Sequence, residues 1–367
     1  MTRLFGKAWT RGELQSYLSD PMQVAGAVPA VLSDGKSDGV RSIAVRTGSG
    51  LAFSVLPGRC MDIPECTYCG KPIGYQSATG ITSPAYYEEP GQKWLRSFDA
   101  GLLTTCGITY CGQPNTDQGV ELGLHGRIAN SAAESVGITQ GWDGDDYLIS
   151  LRGTMREAQT MGENLTLTRV IETRMGSLTI RLHDTIENRG FEEQPLMMLY
   201  HFNLGFPLLN ERSRIHAPIV TTKPRDADAE ADRGVEECLR FNPPVTGYRE
   251  KVFFHKMAGG KDGKTCIVIA TGDVGDGTAL GVALRYNTRE LPELTEWKMM
   301  MRGWYALGVE PGTVNPVARS LLRKNGTLPT IAPQSSYSVD VEIQVLSNQN
   351  EINGAIEETE RLGGAKR

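Results

Sequence analysis

The sequence predicts a mainly β protein, a large antiparallel β-sandwich with a few short helices. Three observations carry this reading. Apolar and polar residues alternate with period 2 in many segments, as half-buried strands require. Glycine (42) and proline (19) are abundant, which suits many short elements joined by turns. No internal repeat, low-complexity linker or compositional shift marks a boundary, so residues 1–347 read as one β-sandwich domain followed by a polar tail, 348–367.

The elements follow in chain order. Thr10-Arg11-Gly12-Glu13 is a capping box that opens a short helix ending before Pro21. Residues 42–46 and 51–56 flank Thr47-Gly48-Ser49-Gly50 and form a hairpin signal. Asp143-Gly144-Asp145-Asp146 is a turn before a strand at 147–151, and it lacks the remaining ligands of a calcium loop. Residues 165–172 and 178–187 make a second hairpin around Met175-Gly176, with Leu178, Ile180 and Leu182 inward. Residues 227–239 read as a helix or as a solvated acidic insertion. Residues 266–270 and 281–285 are further strands. Residues 337–346 put Val339, Val341, Ile343 and Val345 on one face, and Asp340, Glu342 and Gln344 on the other. The polar stretch 350–367 ends in Gly-Gly-Ala-Lys-Arg and predicts a fraying helix or disorder.

Composition narrows the function classes. With 40% hydrophobic and 22% charged residues, the 367-residue chain is folded and has ample material for a core. Lys+Arg 38 against Asp+Glu 43 gives a net charge of −5, so no basic field draws nucleic acid or an anionic membrane. No apolar run approaches the ~20 residues that span a bilayer. The opening MTRLFGKAWT lacks the apolar stretch of a secretory signal. The odd count of 7 cysteines fits a reduced, cytoplasmic protein. Cys66-x-x-Cys69 and Cys106-x4-Cys111 invite a zinc reading, but their spacing matches a zinc ribbon poorly. Buried free thiols are the stronger reading, and no metal is expected at them. P-loop, G-x-S-x-G and H-E-x-x-H motifs are absent from the sequence.

The chain has 5 histidines, so each can be weighed. His125 lies in Gly123-Leu124-His125-Gly126-Arg127, where the glycines clear space for a ligand at the imidazole. His201 lies in Tyr200-His201-Phe202-Asn203-Leu204-Gly205, after an apolar run, where a strand can deliver it to a cavity. Each competes evenly with a structural role as a satisfied core or turn histidine. His183, His216 and His255 read as structural. Glu310 ends an apolar strand before Pro311-Gly312. Partial desolvation there raises a carboxyl toward the range of a general base, although a turn glutamate is the commoner case. Arg59 and Asp62 follow a strand: the Arg suits a sugar hydroxyl or carboxylate and the Asp orients it, unless they form a structural ion pair.

Taken in order, Arg59 in PGR, His125 in LHG, His201 in YHFNLG and Glu310 in LGVEP resemble the aldose 1-epimerase, or galactose mutarotase-like, superfamily. More closely, it resembles a divergent branch of aldose 1-epimerase-like bacterial proteins. Gln23-Val24-Ala25-Gly26, the segment FDAGLLTTCG at 98–107 and LPELTEWK at 291–298 extend the likeness to about Leu346. The resemblance implies the superfamily's large antiparallel β-sandwich, often called a supersandwich. It further implies an isomerase that interconverts the anomers of a monosaccharide or sugar derivative by acid–base ring opening. Glu310 would be the general base, His201 the general acid, His125 a contact near the ring oxygen and Arg59 a sugar-binding residue. No cofactor is implied.

The sequence also departs from the family pattern. No Asn precedes His201, and Arg127 follows Gly126 where a second glycine is usual. No residue matches the aspartate that grips distal hydroxyls; Glu296, Trp297 and Lys298 are candidates for part of that role. Arg127 or Lys298 would favour an acidic or modified sugar. Asp62, Arg127, Asn203, Trp297 and Lys298 therefore join Arg59 and His125 as expected substrate-binding residues. Trp94, Trp297 and Trp304 are candidates to stack on a sugar face. Three alternatives stand: an epimerase, isomerase or lyase of different chemistry on the same site, a non-catalytic sugar-binding protein, and a zinc protein built on the cysteine pairs.

Overall fold

The computed structural model of the chain describes residues 1–364. Two antiparallel sheets dominate, and their inner faces share one apolar core. The large sheet has 8 strands, in the order Glu134–Asp143, Asp146–Ala158, Asn164–Arg174, Thr179–Asn188, Ser336–Leu346, Leu280–Asn287, Lys264–Thr271 and Arg214–His216. The smaller one, called here the site sheet, has 6 strands: Leu103–Cys106, Leu199–Leu204, Trp304–Gly312, Glu293–Met301, Lys251–Met257 and Ile219–Pro224. A 5-stranded sheet built from residues 26–72 packs into the same core through Ile43, Val45 and Phe53. This is the mainly β, antiparallel sandwich architecture expected from the alternation. Among the described residues no helix is long and apolar enough to cross a membrane.

Local sequence explains the main elements. Val339, Val341, Ile343 and Val345 are all buried on the inner face of their strand. The Met175-Gly176 hairpin pairs Ile171 with Leu182 and Leu167 with Ile186. Gly176 has φ +79°, and a Cβ there would lie 2.2 Å from the Arg3 carbonyl oxygen. The Thr10 capping box is present: Glu13 N–H donates to the Thr10 hydroxyl, and Thr10 N–H donates to the Glu13 carboxylate at 2.8 Å. The segment 227–239 contains two short helices, Ala227–Glu230 and Gly234–Glu237, rather than one. Of the alternatives for the tail, the helix is observed, but it is docked rather than frayed. Gln349–Gly364 is a helix that buries Ile352 and Ala355 against Cys266, Val268 and Ala270 of the large sheet, and Thr359 is buried on the same side of the helix. Those positions lie at i, i+3 and i+7, so a mostly polar segment still presents one narrow docking stripe. Residues 365–367 of the tail lie outside the described residues.

A buried ionic network sits between the two sheets. Arg169, fully buried in the large sheet, donates to both carboxylate oxygens of Asp184 at 2.9 and 2.7 Å. Its third nitrogen donates to Asp62 at 3.0 Å and to the Thr105 hydroxyl at 2.9 Å. Tyr200 of the site sheet donates its hydroxyl to Asp184 at 2.8 Å. Burial, opposed by the Arg169 charge, still pushes the Asp62 carboxyl up to about 6. Removing one partner strands the opposite charges in the core, which typically costs ~3–5 kcal/mol. Arg169→Met should therefore destabilise the fold by about that much in urea denaturation. A loss below ~1 kcal/mol, the level of an exposed pair, would show that the network carries no such weight.

Candidate active site

Alternation in neighbouring strands builds the pocket. In Leu199–Leu204, Tyr200, Phe202 and Leu204 enter the core, so His201 points to the other face of the site sheet. In Trp304–Gly312, Leu307 and Val309 enter the core, which leaves Gly308 and Glu310 on the His201 side. Nε2 of His201 lies 3.1 Å from Oε1 of Glu310. The contact is close but poorly aligned for a hydrogen bond, and Oε1 has no donor. Gly308 makes the approach possible. A Cβ there would lie 2.4 Å from Glu310 Oε1, 3.0 Å from Trp297 Cβ and 3.1 Å from His201 Cε1. Trp297, from Glu293–Met301, stands edge-on to His201 with ring centroids 5.8 Å apart.

His125 closes the pocket from a loop. Its backbone has φ +58°, and its ring lies 5.9 Å from that of His201 and 4.9 Å from that of Trp94. Trp94 in turn stacks on Phe98 at 4.6 Å. The neighbouring glycines serve backbone packing rather than ligand access. A Cβ on Gly123 would lie 1.9 Å from the Glu89 carbonyl oxygen, and one on Gly126 would lie 2.3 Å from that of Tyr110. Together these side chains enclose a cavity of about 140 Å³. Drug-sized ligands occupy roughly 300–1,000 Å³, so this space suits a single small ring. Arg225 and Glu250 line its more exposed end, where Arg225 donates to Glu250 at 2.9 Å and the Trp297 indole N–H donates to Glu250 at 2.9 Å.

Desolvation governs the charges. Burial, reinforced by the Glu250 carboxylate, holds the Glu310 carboxyl well above its ordinary range. Burial and the nearby His125 ring hold His201 well below the usual imidazole value. Burial alone pushes His125 down to about 4. Nδ1 of His125, Nδ1 of His201 and Nε1 of Trp94 are buried without a hydrogen-bond partner.

Several expected binding residues lie elsewhere. Arg59 is buried and does not line the pocket; it is ion-paired with Asp99 at 3.3 Å and donates to the carbonyls of Thr82 and Ala129. Asp62 belongs to the Arg169 network and accepts from Thr105 at 2.6 Å. Asn203 is fully buried, and its amide donates to the backbone carbonyls of His201 and Ala100. Arg127 pairs with Glu89 at 2.6 Å and Glu163 at 3.4 Å in a separate surface groove. Lys298 follows Trp297 in an extended strand and so faces the opposite side, where it donates to the Glu237 carbonyl at 3.0 Å. Trp304 is 54% exposed and outside the pocket. Arg225, Glu250 and Gly308 were not singled out by sequence. Gly308 had one available signal, a glycine on the same strand face as Glu310. A larger cavity, about 570 Å³, lies by the C-terminal helix, but its charges Arg285, Glu342 and Glu358 are already paired with one another.

The family model described as "Domain of unknown function (DUF4432)" matches residues 37–345. No curated protein matches the chain. Solved structures share its fold. One from Klebsiella pneumoniae subsp. pneumoniae MGH 78578, described as a proposed aldose 1-epimerase, superposes with a TM-score of 0.86 at 23% identity, over 98% of this chain and 97% of that one. A galactose mutarotase-like protein from Clostridium acetobutylicum gives 0.58 at 14% identity, over 89% and 99% of the two chains. A galactose 1-epimerase from Lactobacillus acidophilus NCFM gives 0.56 at 13% identity, over 89% and 100%.

The depressed His125 has a consequence for stability. Folded His125 takes its proton near pH 4, whereas an unfolded chain takes it near the ordinary 6.5. Between those values the unfolded state binds more protons, so this contribution to stability is complete above 6.5 and is lost as pH falls through 4. Asn tolerates the left-handed backbone and does not titrate. His125→Asn should remove about 3 kcal/mol of the stability loss between those pH values, read by urea denaturation across the range. An unchanged pH slope would contradict the buried, neutral imidazole.

Proposed function

The chain belongs to the DUF4432 family, and on that premise we propose that it is a carbohydrate-active isomerase that interconverts sugar anomers by acid–base ring opening. The observation that carries this reading is the 3.1 Å approach of His201 Nε2 and Glu310 Oε1 in a small cavity walled by aromatic rings and a second imidazole. Anomer exchange takes a proton from the anomeric hydroxyl and gives one to the ring oxygen. One acid and one base on either side of a single C–O bond suffice.

The sequence alone suggests a carboxylate base and an imidazolium acid. Burial favours the neutral form of each group and so biases the pair toward a carboxylic acid beside a neutral imidazole. The two descriptions differ by one proton moved across the 3.1 Å gap, and the pair is uncharged in both. With the anomeric hydroxyl donating to one group and the ring oxygen accepting from the other, the two transfers are coupled as the bond from C1 to the ring oxygen breaks. The ring opens, the C1–C2 bond rotates, and the transfers reverse on closure. His125 Nδ1 and Trp94 Nε1 are unpaired groups that a polyhydroxylated ring would satisfy. Trp297 and Trp94 offer apolar walls for a sugar face. Arg225 and Glu250 offer hydroxyl contacts at the open end.

Saturation-transfer NMR on neutral, acidic and deoxy sugars at anomeric equilibrium tests the proposal. Accelerated α/β exchange is expected for one substrate class and should be abolished in His201→Asn and Glu310→Gln, both folded. Undiminished exchange in either variant would overturn the assignment. Binding without any acceleration would instead indicate another sugar reaction or a sugar-binding protein. Gly308→Ala should displace the Glu310 carboxylate while leaving the strand intact. A shift of ~1 Å in a catalytic group costs on the order of 100-fold in turnover, which progress curves on the same substrate would reveal.

A further inference from the structure

We propose that Cys238, His255 and Glu296 form a binding site for a zinc-type divalent cation, on the face of the site sheet opposite the candidate active site. One donor atom from each of the three residues lies within 4.8 Å of the others, and all three side chains are buried. Nε2 of His255 is 3.0 Å from Oε2 of Glu296. The other carboxylate oxygen, Oε1, is buried and has no hydrogen-bond partner among the described residues; Glu296 is only 3% exposed. A buried carboxylate left half-satisfied in this way is short of a cation or a donor.

The surroundings resemble the support a metal site needs. Nδ1 of His255 lies 2.9 Å from the Thr222 hydroxyl. Donation of Nδ1–H to that oxygen leaves the Nε2 lone pair facing Glu296 and Cys238, and such a bond typically orients a metal-binding imidazole. Cys238 caps the short helix Gly234–Glu237, and Lys298 donates to the carbonyls of Glu237 and Arg240 on either side of it. Lys298, expected at the sugar, thus holds the cysteine segment in place.

The donor set selects the metal. Sulfur with imidazole and carboxylate suits zinc, whereas magnesium and calcium prefer oxygen alone. Zinc bond lengths of ~2.0–2.3 Å place tetrahedral donors roughly 3–4 Å apart, so the cluster needs only small adjustments. On binding, the Cys238 thiol gives its proton to solvent and gives up its present contact with the Val235 carbonyl, 3.2 Å away. Thiolate and carboxylate then neutralise the dication, and the fourth position is open to water. The cation would tie Cys238 to two strands of the site sheet, clamping the segment between Arg225 and Glu250, the two residues at the pocket's open end. The cysteine pairs weighed from sequence play no part in it.

Metal analysis of the full chain tests the site without reference to activity. Protein stripped with a chelator, reloaded with zinc and freed of excess should retain about one zinc per chain by mass spectrometry. Reloading with cobalt should give thiolate charge-transfer absorption and tetrahedral visible bands. Zinc should raise the melting midpoint. Cys238→Ser should lose all three effects, and Cys69→Ser, at an exposed cysteine, should keep them. Stripped wild-type protein that takes up no zinc, or binds cobalt without the thiolate band, overturns the proposal whether or not Cys238→Ser folds. So does equal zinc uptake by a folded Cys238→Ser variant.

Discussion

The Arg169 guanidinium is the point from which the rest of the molecule takes its register. It is fully buried between the sheets and satisfied on three sides by Asp184, Asp62 and Thr105. Each partner comes from a different part of the chain: the large sheet, the loop after the first hairpin, and the edge strand of the site sheet. Tyr200 completes the set from the next strand. A buried charge tolerates little slippage, because a strand shifted by one residue would withdraw its partner and expose the opposite face. Holding Tyr200 inward therefore holds His201 outward. The polar centre of the core thus fixes the side of the sheet on which the His201 imidazole lies.

The same alternation gives the site sheet two separate clusters of polar side chains, one on each face. On one face it presents His201, Glu310 and Trp297 to a cavity. On the other it presents His255 and Glu296 to Cys238. Glu296 and Trp297 are neighbours in sequence yet serve opposite faces, and so do Trp297 and Lys298. Covering segments close both faces, and the chain from Arg225 to Glu250 touches both. The reactive pair owes its properties to this enclosure: neutral groups are cheap to bury, and a proton passed between them changes no net charge.

Much of this was legible in the sequence where the cause is local. Hairpins, alternation and the Thr10 capping box depend on neighbouring residues, and they appear where the pattern puts them. His125, His201 and Glu310 were singled out by motif, and the fold gathers them around one cavity. Arg59 and Asp62 were misplaced because a charge that binds a ligand and a charge that ties the core together look alike in one dimension. Lys298 was a different error: it stands beside Trp297 in a strand, so the two could never face the same pocket. Arg225 and Glu250 were invisible because their pairing depends on a chain reversal through an acidic segment with no clear periodicity. His255 read only as structural, because its partners Thr222 and Glu296 come from neighbouring strands and the register alone reveals them.

Gly308 carries an evolutionary consequence. Glycine alone lacks a Cβ, so any missense change at this codon adds an atom where Glu310 Oε1 would be 2.4 Å away. The position has no neutral neighbour in sequence space while His201 and Glu310 remain paired. A side chain at residue 308 displaces the Glu310 carboxylate before it changes anything at the rim formed by Arg225 and Glu250. Loss of that glycine in a descendant would mark displacement of the Glu310 carboxylate from His201.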